Sequence, residues 1–293
     1  MELGLLLSGN LGLLVLKDLL NNKHKVRFVF TDFASIEIIK TCRENNIPCF
    51  KGNPRNNKAE SFLKQVEPPQ LLLSVNYLYI VEKDVISKTT GLAVNIHGSL
   101  LPKYRGRTPH VWAIINNEKQ TGITAHLITK NCDEGDILYQ EVILIEDEVT
   151  GFDVLNKFIE RYPLIVKKVI SIIESRNIKL NPQDNSKATY FGKRTPTDGL
   201  IDWNWQKERI RNWVRAQAKP YPGAFTFYKG KKIIINGIQF SDFGFHQNDI
   251  NGKIISIENE LVVKTPNGAI KIVEFVSETN LSFEIGVILN EKY

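Results

Sequence analysis

Short apolar runs alternate with amphipathic stretches through the first half of the chain. Leu3 to Leu7 is followed by Leu11 to Leu20, and Val26 to Phe30 by the helix-spaced Ala34 to Glu44. This alternation predicts βαβ units on a mostly parallel, Rossmann-like α/β sheet. Further strands are predicted over Pro48 to Lys51, Gln70 to Val75 and Leu92 to Ile96. Gln70 to Val75 is apolar without alternation, as expected of a central strand covered on both faces.

From Thr121 to Thr129 and from Asp136 to Ile145 the segments lengthen and become β-rich, which predicts a mixed edge to the sheet. A long helix follows. Phe152, Leu155, Phe158, Ile159, Tyr162, Val166, Val169, Ile170 and Ile173 recur at three- and four-residue spacing and define one apolar face, with a kink expected at Pro163. Between Asn177 and Leu200 the periodicity fails and Asn, Pro, Asp, Ser, Lys, Thr and Gly dominate, which places a domain junction there. The expected organisation is a catalytic domain over 1–200 and a β-rich, OB-like domain over 201–293. The second comprises a short helix, Gln206 to Gln217, and five short strands, the last two separated by the turn formers Pro266, Asn267 and Gly268.

Composition narrows the class without changing the fold. Of the 293 residues 42% are hydrophobic and 24% charged, ordinary values that argue against disorder or a fibrous repeat. The apolar start, MELGLLLSGNLGLLVLKDLL, lacks a basic leader and is broken by Ser8, Gly9, Asn10 and Gly12, so a strand turning into a helix accounts for it better than a signal segment. No stretch approaches the roughly 20 apolar residues of a membrane helix. Three cysteines, Cys42, Cys49 and Cys132, are odd in number and show no metal-ligand spacing, which argues against a disulfide scaffold or a zinc site and fits a reducing cytoplasm. A net charge of +6 favours an anionic partner, but the positive charges run from Lys17 to Lys292 without a dense block, which weighs against a nucleic-acid arm.

Candidate chemistry concentrates between Leu92 and Asp136. Asn95 and His97 are two apart at the end of a predicted strand, so their side chains share one side of the sheet, where open α/β sheets bind ligands. Gly98 permits a sharp turn, and Pro102 and Gly106 keep the next loop from becoming helix. Singly, His97 reads as a structural hydrogen-bonding residue, Asn95 as a turn former and Asp133 as a loop acid. Their combination carries the chemical reading.

That combination resembles the folate-dependent formyltransferase family. The residues that carry the likeness are Asn95-Ile96-His97, then Ser99-Leu100-Leu101-Pro102-Lys103-Tyr104-Arg105-Gly106, then Thr121-Gly122-Ile123-Thr124, then Asp133-Glu134-Gly135. Four motifs in the family's order are a specific signal, and Lys219-Pro220-Tyr221-Pro222-Gly223-Ala224 resembles the entry to its C-terminal domain. The resemblance implies direct transfer of formyl from the co-substrate 10-formyltetrahydrofolate to a primary amine, with no metal. In that reading His97 takes the proton of the attacking amine and the Asn95 amide donates to the developing oxyanion. Asp133 orients the imidazole, raises the pKa of His97 and helps hold a water for proton relay. Val75, Asn76, Tyr77 and Leu78 resemble the loop that lines the pterin slot, although Tyr77 and Leu78 read equally as strand-end packing. Leu101, Pro102 and Ile137 are expected to close the pocket.

Which amine is formylated separates two classes. The short Ser8-Gly9-Asn10 loop, the segments around Lys51 and Arg105 to Trp112, and a compact C-terminal domain with interspersed acids resemble enzymes that formylate dTDP-linked amino sugars. The expected substrate is dTDP-4-amino-4,6-dideoxyglucose, which implies O-antigen or surface-polysaccharide synthesis by a homodimer. Arg105 or Arg107 would then clamp the diphosphate, and His110 either approaches the sugar or caps the helix starting at Val111. Gly9, Asn10 and Gly12 are a weak phosphate-loop signal, and Ser8, Gly9, Asn10 and Lys51 are further substrate candidates. Methionyl-tRNA formyltransferase is the alternative, and a non-catalytic RNA-binding relative the third reading.

Overall fold

The computed structural model describes residues 1–258 and 260–290, so Lys292 lies outside the described residues. It divides into two compact units. The first comprises residues 1–109, 121–143 and 156–191; the second takes 110–120, 144–155 and Gly192 onward. The change of unit within the polar 177–200 stretch thus falls at Phe191 and Gly192, and two earlier segments also belong to the second unit.

The first unit is built on a sheet whose strands run in the order β3-β2-β1-β4-β5-β7-β8. These are β1 (Glu2–Leu7), β2 (Lys25–Thr31), β3 (Cys49–Lys51), β4 (Leu71–Val75), β5 (Leu92–His97), β7 (Gln120–Leu127) and β8 (Ile137–Leu144). All five residues of β4 are buried, consistent with its apolar run and central position. Pairings from β3 through β5 are parallel, whereas β7 runs antiparallel to β5, which is the mixed edge expected from the β-rich segments. Because β1 lies between β2 and β4, the strand order reverses there and opens a crevice outside the carboxyl ends of β1 and β4. Short helices α1 (Gly9–Asn21), α2 (Ile36–Glu44), α3 (Glu60–Gln65) and α4 (Lys83–Ile86) make the crossovers.

The long helix α6 (Gly151–Glu174) buries Val154, Phe158, Tyr162, Ile165, Val166, Val169 and Ile170. Pro163 falls inside this helix, which continues past it for two more turns and more. Two-residue strands β6 (Arg105–Gly106) and β9 (Tyr190–Phe191) pair in parallel, so part of the predicted junction folds back beside the loop after β5.

In the second unit α5 (Pro109–Ile115) and α7 (Lys207–Ala216) accompany a five-stranded antiparallel sheet of order β10-β11-β14-β13-β12. The strands are β10 (Ala224–Tyr228), β11 (Lys231–Ser241), β12 (Ile254–Ser256), β13 (Leu261–Thr265) and β14 (Gly268–Ser277). Thr265 pairs with Gly268, leaving Pro266 and Asn267 as the two-residue hairpin loop. Among the described residues no helix is long and apolar enough to cross a membrane.

Candidate active site

Strand β5 delivers Asn95 and His97 to its carboxyl end, and its antiparallel neighbour β7 sets His126 opposite Asn95 and Thr124 opposite His97. Asp133 arrives from the turn between β7 and β8. The turn is tight for a stated reason: Asp133 itself takes φ 57°, and a Cβ on Gly135 would lie 1.9 Å from the carbonyl oxygen of Leu127. Only glycine fits there, so the backbone beyond Asp133 can press against β7 and hold the carboxylate inward.

Three separated side chains therefore meet. Asp133 Oδ1 lies 3.7 Å from His97 Nδ1 and 3.5 Å from His126 Nε2, and its other oxygen accepts the Gly106 N–H at 2.9 Å. Both His97 and Asp133 are buried, at 7% and 9% exposure, which excludes a surface role for either. His97 Nε2 is 2.8 Å from the Tyr104 carbonyl, so that nitrogen carries the proton and Nδ1 presents its lone pair toward Asp133. The orienting partner of the imidazole is thus a backbone carbonyl. Asp133 instead faces the nitrogen that a new proton would occupy.

This arrangement corrects the expected pKa of His97. Burial drives it below the ordinary imidazole value, and the opposing effect of Asp133, although upward as expected, is the smaller of the two. For Asp133 burial pushes upward, but the positive charge His97 takes on when protonated and the Gly106 N–H together hold the carboxyl well below the usual carboxylate range. At neutral pH the site holds a neutral imidazole beside an ionised carboxylate.

His126 is the residue that motif reading missed. Its Nδ1 lies 2.9 Å from the Leu127 carbonyl, so Nε2 is left to accept from Asn95 Nδ2 at 3.1 Å. In that tautomer the 3.5 Å approach to Asp133 is a contact rather than a hydrogen bond. One amide hydrogen of Asn95 is thereby pinned. The signal was present in the alternation of Gly122, Thr124 and His126 on one face of β7, but it needs the β5–β7 register to be read.

The Ser-Leu-Leu-Pro loop is fixed by side chains from β7 and β8. Thr124 Oγ1 donates to the Ser99 carbonyl at 2.6 Å and accepts from the Leu101 N–H at 3.2 Å, while Gln140 donates to the Leu101 carbonyl at 3.0 Å. Leu101 is buried, and Pro102 and Ile137 are half-buried. Val75 is buried at the end of β4, and Asn76, at φ 53°, donates to the Ser8 carbonyl. The Tyr77 ring packs on the core cluster around Phe28 and Phe30, as strand-end packing, whereas Leu78 is 42% exposed and Ile80 57%, an apolar edge facing outward.

Arg105 requires a correction. The guanidinium expected to clamp a diphosphate is fully buried: Nε and Nη2 donate to Gln183 Oε1, Nη2 to Asn185, and Nη1 to Tyr190, with Glu134 3.4 Å away. Gln183 in turn donates to the carbonyls of Asp133 and Gly135 at 2.9 and 2.7 Å. Arg105 and Gln183 together brace the turn that carries Asp133. Arg107 is exposed and reaches the Leu78 carbonyl at 2.6 Å.

A second correction concerns Ser8, Gly9 and Asn10. At the start of α1 the Gly9 N–H donates to Ser35 Oγ, which donates to the buried carboxylate of Asp32, and Asp32 is held below its ordinary pKa chiefly by the hydroxyl and backbone donors that outweigh its burial. An anion already occupies the positive end of this helix, so the loop is a poor phosphate cradle. Lys51 is exposed at the end of β3. His110 belongs to the second unit, where it meets Tyr221 Oη at 3.0 Å and burial pushes its pKa down to about 4. Among the described residues no group of three or more His, Cys, Asp or Glu side chains is arranged to hold a metal ion.

An amide and an imidazole near the end of β5, with a buried carboxylate facing that imidazole from the next turn, supply the groups that acylation of an amine needs, a proton acceptor and an oxyanion donor. Comparison with known proteins makes this specific. Residues 8–170 match the formyl transferase model and residues 193–291 the formyl transferase C-terminal domain model, and the chain belongs to the formyl transferase family. It is 36% identical over 241 residues, 82% of its length, to the bifunctional polymyxin resistance protein ArnA of Wigglesworthia glossinidia brevipalpis, of which it spans 36%. The fold is shared with WlaRD, a sugar 3N-formyl transferase solved in the presence of dTDP and 5-N-formyl-THF, at TM-score 0.70 and 20% identity over 96% of this chain and 99% of that one. An N-formyltransferase from Helicobacter canadensis, in complex with folinic acid and dTDP-3-aminofucose, matches at TM-score 0.67 and 21% identity over 92% and 97% of the two chains.

Proposed function

We propose that this formyltransferase moves a formyl group from 10-formyltetrahydrofolate to the amine of a dTDP-amino-dideoxy sugar. The favoured acceptor is dTDP-4-amino-4,6-dideoxyglucose, for O-antigen or other surface-polysaccharide synthesis in the cytoplasm, by a homodimer. The observation that carries the reading is the buried pair of His97 and Asp133, with His97 Nδ1 facing Asp133 Oδ1 and the half-buried Asn95 tied to it through His126. The folate and dTDP ligands of the structural neighbours support it. For the formyl donor, the exposed apolar edge of Leu78 and Ile80 suits a flat heterocycle that needs one apolar wall.

The division of labour follows from the hydrogen bonds. His97, locked through Nε2 to Tyr104, takes the amine proton on Nδ1, where the Asp133 carboxylate stabilises the imidazolium. Asn95, with one amide hydrogen held by His126, offers the other to the carbonyl oxygen as negative charge builds on it. Arg107 supplies the exposed guanidinium for the diphosphate, the role Arg105 cannot fill.

His126 is in this scheme a positioning residue for Asn95. His126→Leu is expected to lower kcat roughly 10-fold to 100-fold with little change in either KM, because it frees an oxyanion donor without removing it. His126→Gln, which keeps an acceptor, is expected to recover part of the loss. Equal kcat in wild type and the leucine variant would remove His126 from the mechanism.

The substrate assignment is tested by incubating the full chain with 10-formyltetrahydrofolate and a panel of 3-amino and 4-amino dTDP-hexoses, with methionyl-tRNA alongside, and following the formamide by mass. Formylation of a dTDP-amino sugar is the expected result. Formylation of tRNA with no sugar product would transfer the chain to the alternative class. Sedimentation velocity on the same preparation reads the expected dimer.

A further inference from the structure

Two groups compete for the single proton of the neutral His97 ring. Asp133 Oδ1 stands 3.7 Å from Nδ1, too far for a hydrogen bond but close enough for its charge to draw the proton there. The Tyr104 carbonyl stands 2.8 Å from Nε2 and can only accept. A proton on Nδ1 would leave no lone pair on the nitrogen that faces Asp133. The tautomer therefore depends on how firmly the Tyr104 carbonyl is held.

It is held from the polar stretch that folds back as β9. Thr189 places all three of its polar groups on the loop after β5: its N–H donates to the Pro102 carbonyl at 3.4 Å, its Oγ1 accepts from the Tyr104 N–H at 2.8 Å, and its carbonyl accepts from the Arg105 N–H at 2.8 Å. The last bond matters most, because the Arg105 N–H and the Tyr104 carbonyl belong to one planar peptide group. Thr189 pins one end of that plane while His97 donates to the other. Tyr104 is bent to suit: it takes φ 61°, in the left-handed region that bulky side chains rarely adopt, and its ring stacks on Phe191 with centroids 4.9 Å apart and planes at 15°.

We propose that Thr189 is a positioning residue that holds His97 in its Nε2–H tautomer through the Tyr104–Arg105 peptide group, a role that rests on His97 being the proton acceptor of formyl transfer. Loss of Oγ1 leaves the Tyr104 N–H without its acceptor, and the left-handed residue loses one of the ties that keep it there. The peptide plane can then turn its carbonyl away from Nε2. Asp133 draws the ring proton to Nδ1, and the nitrogen beside the carboxylate no longer accepts one from the amine. Thr189 is itself exposed, so core packing does not enter.

Thr189→Val keeps the branched shape and removes the hydroxyl. Its kcat for formyl transfer is expected to fall roughly 10-fold, with both KM values and Tm near wild type, and Thr189→Ser is expected to recover most of the loss. The deciding measurement needs no substrate: nitrogen NMR of the full chain with labelled histidine, in mildly alkaline buffer, with His97 assigned by its absence from the His97→Gln spectrum. Wild type is expected to show Nε2–H, and Thr189→Val a shift toward Nδ1–H. Should the valine variant not fold, Thr189→Ala is read in the same way. A wild-type ring already protonated on Nδ1, a ring that stays Nε2–H without the hydroxyl, or a loss of kcat that serine does not recover would each overturn the role of Thr189. If the chain formylates none of the acceptors offered, the functional reading fails while the ring spectrum still decides this one.

Discussion

Replacing Asp133 with Asn is expected to lower kcat by roughly 100-fold or more while the KM for the formyl donor stays near the wild-type value. The side chain keeps its shape, and its oxygen can still accept from the Gly106 N–H, so the turn should survive. What is lost is the negative charge 3.7 Å from His97 Nδ1, and with it the stabilisation of the imidazolium. The pH profile supplies a sharper test than the rate. Asp133 raises the pKa of His97 against the dominant effect of burial, so its removal should move the acid limb of kcat to lower pH. A limb that stays in place or moves up would show that His97 is not the titrating base or does not feel Asp133.

The same substitution has a stability signature of opposite logic. The carboxyl of Asp133 is depressed in the folded chain, so it contributes stability that is present above the unfolded carboxylate pKa, about 3.9, and is lost as pH falls through the lower folded value. Asp133→Asn removes that pH-dependent part. Wild type and variant should therefore converge in acid and separate toward neutrality, as followed by urea midpoints across pH.

Much of this geometry was legible before any coordinates. The uniform apolar run of β4, the alternation through the first half and the turn formers at Pro266 and Asn267 each have a local cause, and each became the expected element. Asn95 and His97 could be placed on one face because a strand repeats every two residues. What local pattern cannot carry is pairing between distant segments. His126 matters only because β7 runs antiparallel to β5 in one register, and Gln183 only because the polar stretch read as a junction folds back to the Asp133 turn. The α6 face shifted for the same reason: the buried side is set by what packs against it, so Val154 is buried where periodicity favoured Phe152 and Leu155. Charge was misread most. A cation in a polar loop reads as solvent-facing by default, and nothing in Tyr104-Arg105-Gly106 announces that three acceptors wait some 80 residues away.

Arg105→Met is accordingly expected to act as a structural lesion and not as a binding one. The methionine fills part of the volume but leaves Gln183 Oε1 and Asn185 Oδ1 without their donor and the Glu134 carboxylate without its cation. Leaving part-buried acceptors without their donor costs about 1–3 kcal/mol each, enough to lower Tm by several degrees. Turnover should fall with it, because Gln183 loses the partner that fixes its amide and so loosens its grip on the carbonyls flanking Asp133. Arg105→Lys should rescue little, since a point charge cannot span Gln183, Asn185 and Tyr190 at once. Arg107→Met provides the contrast: the side chain is exposed, so Tm should hold within about 1 °C while KM for the sugar nucleotide rises severalfold. The reverse pattern, an unchanged Tm and a raised nucleotide KM on loss of Arg105, would return the phosphate clamp to that residue and sink the bracing role assigned to it.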